Sequence, residues 1–168
     1  PRFSASYQLT TGCYLNFNTG RFYQTPAYTT MGYEDEEGIR FNQTEDLMYV
    51  RSDHLVAGVE WLPDQESKLS VEGFYKKYDQ YPFSLRDSIS LASKGADFGI
   101  FGAEPVVSTA RGRAYGTEFL YRNRDLFGIN LTVSYTLVRS ETLPQKESLK
   151  DLGWIPTTWD NIHLLNIL

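Results

Sequence analysis

Short and long connections take strict turns along this chain. Stretches of alternating apolar and polar residues are joined by tight segments at 10–12, 63–67 (PDQES) and 123–126. Between them run long segments at 25–50, 80–107 and 141–158, rich in Gly, Pro, aromatic and charged residues. In an up-and-down sheet this order gathers every tight turn at one end and every long loop at the other. Long structureless loops are uncommon in compact domains, so a soluble sandwich has no reason to show it. A barrel crossing a membrane does, with turns on one side and loops on the other.

The segments between the connections read as strands. Residues 129–140 (INLTVSYTLVRS) place Ile129, Leu131, Val133, Tyr135 and Leu137 on one face and Asn130, Thr132, Ser134 and Thr136 on the other. The polar face is made of small uncharged hydrogen-bonding groups, which suits a wall between hydrocarbon and a wet lumen. Residues 53–61, 68–79 and 113–122 repeat the pattern with local exceptions at Val56 and Phe74. The aromatic share of 15% also favours strands and membrane boundaries. The expectation is an all-β antiparallel meander with strands near 2–9, 13–24, 50–62, 68–80, 107–122, 128–141 and 159–168, and no helix of consequence.

Several function classes fall away on composition. The net charge is −5 and no Lys/Arg run is long enough to neutralise a row of phosphates, so a nucleic-acid partner is not expected. Cys13 is the single thiol and has no disulfide partner in the chain. His54 and His163 lack the spacing of a zinc helix, so neither a metal nor a cofactor is expected. No stretch approaches the roughly 18 consecutive apolar residues of a spanning helix, so any crossing must be made by strands. The chain opens on Pro1 without a signal peptide and stops at Leu168 within an apolar run, which reads as a piece of a larger protein.

The segments RSDHLVAGVEWLPD (51–64), SVEGFYKKYDQYP (70–82), SLASKGADFGIFGAEP (90–105), GRAYGTEFLYR (112–122) and SYTLVRSE (134–141) resemble the barrel of TonB-dependent receptors, of the type found in Bacteroidota. GRFYQTPAY (20–28) and WDNIHLLNIL (159–168) extend the likeness over nearly the whole chain. The resemblance implies a roughly 22-stranded barrel closed by an N-terminal plug and energised through the TonB complex. Residues 1–168 would then be about seven strands of that barrel, with the plug and the other strands outside them. The parent would be a receptor in the outer membrane of a Gram-negative bacterium, embedded in its lipid. It would bind and import a scarce solute such as a siderophore, cobalamin, oligosaccharide or peptide, and would not be an enzyme.

Two sets of residues are candidates for function. Glu60, Glu72 and Glu118 fall on the polar parity of their strands, where a carboxylate avoids the lipid face. The resemblance suggests that they meet basic residues of the plug; the plain alternative is a solvated lumen charge. In the segment 80–107, Tyr81, Phe83, Phe98 and Phe101 lie among glycines and offer rings to stack on a sugar or chelate, or simply to pack over a barrel mouth. The run Glu34 to Glu37 reads as a solvated loop, because consecutive carboxylates do not converge on one cation. Arg111, Arg113, Arg122 and Arg124 cluster near one strand, as headgroup contacts or strand-end surface charges. The competing architecture is a soluble β-sandwich that binds glycans. There the face carrying Leu131, Val133 and Tyr135 would be buried between sheets; in a barrel it faces lipid.

Overall fold

The computed structural model describes residues 1–44, 47–94, 102–145 and 151–168. Its strands are β1 (Arg2–Thr10), β2 (Cys13–Gln24), β3 (Val50–Trp61), β4 (Ser67–Ser84), β5 (Val106–Leu126), β6 (Ile129–Leu143), β7 (Ile155–Pro156) and β8 (Ile162–Ile167). All belong to one antiparallel sheet in which neighbours in sequence are neighbours in space from β1 to β6. Both β7 and β8 lie against β6, the first at its last residues and the second along its middle. The first long connection holds two single-turn helices, α1 (Tyr28–Met31) and α2 (Phe41–Thr44), and the second a 3-10 turn at Leu91–Ser93.

Strand ends depart from the sequence pattern in three places. β4 runs to Ser84 rather than to 80, because a bulge at Gln80 (φ 60°) absorbs a residue and the ladder resumes with Tyr81 opposite Ala110. β5 likewise passes 122 through an irregularity between Asn123 and Leu126. This moves the last tight turn from 123–126 to Phe127 and Gly128, whose φ values of 53° and 84° fit a two-residue type I′ hairpin. The strand expected at 159–168 is β8, which starts only at Ile162, and the short β7 lies within the connection expected at 141–158; between them Asp160 Oδ1 accepts the Ser140 backbone N–H at 2.7 Å.

Directly paired residues share a face, so the register carries the alternation across the sheet. One row runs Tyr7, Leu15, Val59, Val71, Phe119, Tyr135, Leu165. Rows to either side add Trp61, Leu69, Tyr121 and Val133, then Phe17, Ala57, Thr117 and Leu137. The opposite face reads Ser6, Asn16, Gly58, Glu72, Glu118, Thr136 along one row. Among the described residues no second sheet covers the apolar face: Leu55, Val59, Phe119 and Leu137 are exposed, and none of Leu131, Val133 and Tyr135 is buried. The sandwich is thereby set aside.

Burial is concentrated at the long-loop end. Val50, Phe83, Val106 and Ala110 are buried there, together with the polar Thr30, Asn42, Ser84 and Glu104. Asn42 joins three segments: its Nδ2 donates to the carbonyls of Thr30 (2.7 Å) and Glu104 (2.9 Å), and its Oδ1 accepts from Val106 N (2.8 Å). Gly102 (φ 78°) is required where the second connection meets α1, since a Cβ there would overlap the Thr30 hydroxyl.

Candidate functional site

On the polar face, Glu72 and Glu118 are direct cross-strand partners, and Glu60 lies one row away opposite Ser70. All three thus share the face opposite Leu131, Val133 and Tyr135, as the parity predicts. Their circumstances differ. Glu60 is ion-paired to the ammonium of Lys68 within the sheet, whereas Glu72 and Glu118 have no ion-pair partner among the described residues. Like charges facing each other across strands are destabilising, so this pair is an unmatched anionic spot. Gly58, opposite Glu72, leaves room for it; a Cβ there would stand 2.6 Å from Glu72 Cγ. Beside it is a recess of about 530 Å³ lined in part by Asn16, Phe22, His54 and Lys76.

The aromatic candidates separate. Tyr81 lies on β4, past the Gln80 bulge, and shares the face of Ala110. It lines a recess of about 360 Å³ at the long-loop end together with Tyr78, Trp159, Gln24 and Thr142. Phe83 also lies on the strand rather than in a loop, and its side chain is buried, so it presents no free face. Phe98 and Phe101 lie outside the described residues. Tyr78 and Trp159 were not singled out by the sequence, because both sit within stretches that read as ordinary strand. Trp159 is held in place by its indole N–H, which donates to the Ala92 carbonyl at 3.1 Å and so ties the third long connection to the second.

The remaining candidates have structural roles. Asp35 Oδ1 accepts the backbone N–H of Glu37 (3.0 Å) and Ile39 (2.8 Å), and Glu34 pairs with Arg40 at 3.6 Å, so the acidic run closes a turn. Among the described residues no group of three or more His, Cys, Asp or Glu is placed to hold a metal. His54 and His163 lie on opposite faces: His54 shares Glu72's face, while His163 pairs with Leu137. Their partners are Ser52 Oγ at 2.6 Å and Tyr135 Oη at 2.7 Å. In the PDQES turn, the Glu66 backbone N–H, and after it the Ser67 hydroxyl, hold the Asp64 carboxyl below its ordinary range. In the second long connection the Lys94 ammonium does the same for Asp87 by hydrogen bonding.

One meander with a continuous apolar face, a polar reverse face, tight turns at one end and long loops at the other is the wall of a transmembrane β-barrel. Residues 1–161 match the family model described as TonB dependent receptor-like, beta-barrel, and the chain belongs to that family. Members of this family are receptors and transporters of the Gram-negative outer membrane. A comparison with curated proteins found no match.

Proposed function

We propose that this barrel wall serves an importer of a scarce solute, a siderophore, cobalamin, oligosaccharide or peptide, in a receptor of the Bacteroidota type. In this reading residues 1–168 are one part of the barrel, and the rest of the receptor supplies the plug and the contact to the TonB complex. The observation that carries the reading is the 360 Å³ recess on the polar face at the long-loop end. Its size falls within the range of small-ligand sites. Tyr78, Tyr81 and Trp159 supply rings for stacking, and Gln24, Ser140 and Thr142 supply polar groups that fix orientation. The unmatched Glu72 and Glu118 support a second contact, to basic side chains of the plug, with Glu60 contributing less because Lys68 already holds it.

The test is isothermal titration of the intact receptor with representatives of the four solute classes, followed by the variant Tyr78→Ala/Tyr81→Ala/Trp159→Ala against the solute that binds. Each ring contributes stacking of about 0.5–1.5 kcal/mol beyond area burial, so the triple variant should bind at least about tenfold more weakly. Changes in the PDQES turn should leave affinity unaltered. Equal affinity in the triple variant would remove this recess as the solute site.

A further inference from the structure

On each strand from β2 to β6 the apolar face stops, at the long-loop end, on a charged side chain. Thr19 gives way to Arg21, Leu55 to Asp53, Tyr75 to Lys77, Tyr115 to Arg113 and Leu137 to Arg139. Each of these charges has a partner of opposite sign. Arg21 pairs with Asp53 (2.6 and 3.1 Å), Arg113 with Glu141 (2.6 Å) and Arg139 with Asp160 (3.0 Å). Across β3, β4 and β5 the balance fails. There Asp79 receives Arg51 at 2.6 Å, Lys77 at 3.1 Å and Arg111 at 3.8 Å, and Arg51 also stands 3.8 Å from Asp53; counting Arg21, four cations meet two carboxylates, an excess of two positive charges.

Burial sorts this cluster by sign. The Asp79 side chain is 11% exposed, against 47% for Lys77 and 64% for Arg111. The anion lies beneath and the cations project from the apolar side of the wall, just beyond the band that meets hydrocarbon. Arg51 is 29% exposed; its Nε is buried, without a hydrogen bond, 3.8 Å from Asp53 Oδ2. We propose that Arg51, Lys77 and Arg111, oriented by Asp79, form a cradle for the phosphate headgroup of an anionic lipid in the outer leaflet. Guanidinium groups match phosphate oxygens in geometry, and cations at a membrane surface draw anionic headgroups. A lipid is favoured over free phosphate because the cradle is continuous with the apolar face. A headgroup tethered to acyl chains engages both surfaces at once, and the second contact is then intramolecular.

This inference rests on the membrane placement of the sheet; because Arg111 also lines the recess proposed for the solute, lipid retention is read with no solute present. The experiment takes the intact receptor, purified in detergent, and measures retained lipid A by native mass spectrometry over a salt series, with insertion into phosphatidylcholine vesicles as the folding check. Wild type should retain lipid A and release it as salt rises. Lys77→Gln/Arg111→Gln should insert normally yet retain at least about tenfold less. Arg124→Gln, at the short-turn end, should match wild type. Normal insertion with unchanged retention in the double variant overturns the cradle alone, as does complete displacement of lipid A by millimolar inorganic phosphate. Failure of wild type to insert overturns the cradle together with the membrane placement beneath it.

Discussion

The two ends of the wall are held by different kinds of interaction. At the short-turn end the side-chain contacts are mostly local: Asp64 Oδ1 accepts from Glu66 N (2.8 Å) and Ser67 N (2.7 Å), and Asn123 Oδ1 accepts from Asp125 N (2.9 Å), while Asn123 Nδ2 reaches the neighbouring turn by donating to Ser67 Oγ (2.9 Å). At the long-loop end they reach across the chain. Asn42 bonds Glu104 and Val106, Met48 N donates to Ser108 Oγ at 3.0 Å, and Glu104 accepts from Ser84 and Lys94 while its own side chain is buried. The turn end has little interior, since tight hairpins need only dihedrals and one or two side-chain acceptors. The loops build a small polar core of their own, as long connections must if their backbone groups are to find partners away from water.

The span between the ends sets the scale for any test of this contrast. Val71 faces lipid and its neighbour Ser70 faces the polar side. Val71→Arg should cost about 2–4 kcal/mol, against about 1 kcal/mol or less for Ser70→Arg, read by equilibrium urea unfolding of the intact receptor in vesicles. Equal costs would break the assignment of faces.

A buried, triply bonded residue comes next. Asn42→Ala leaves the Val106 N–H and two carbonyls without their partner, at about 1–3 kcal/mol for a buried unsatisfied group. Hydrogen exchange should show protection lost together in α1, α2 and the start of β5, with the short turns unchanged. Loss confined to α2 would show that the loop core is not cooperative.

At the other end, Asp64→Ala should cost only about 1 kcal/mol, the scale of a single local cap, with protection lost in the PDQES turn alone. The smallest effect expected is one of pH. Lys94 lowers the Asp87 pKa, so the pair's contribution is present above the ordinary aspartate range and is lost as pH falls through the depressed value. Pepsin cleavage in the second long connection should therefore rise only at strongly acidic pH, and Asp87→Asn should abolish that dependence.

Much of the wall could be read from residues alone because strand parity is local. Alternation assigned Glu72, Glu118, Val133 and Tyr135 to their faces before any register was known, and the order of short and long connections implied the meander. The bulge at Gln80 was not legible, since a positive φ at a non-glycine residue is imposed by its neighbours; with it came the aim of Tyr81 and the true end of β4. Nor could pattern reveal that Glu60 is taken by Lys68, eight positions on, while Glu72 is not.

What the sequence determined by itself is therefore the part governed by period two: an all-β chain, two chemically opposed faces and two unlike ends. What only the tertiary structure decided are the contacts between residues distant in sequence, such as Asn42 with Glu104, Trp159 with Ala92, and three cations from three strands around Asp79. The physical reason is range. Alternation is enforced residue by residue by backbone geometry and by the solvent on each side, whereas register, bulges and loop closure fix which distant side chains meet.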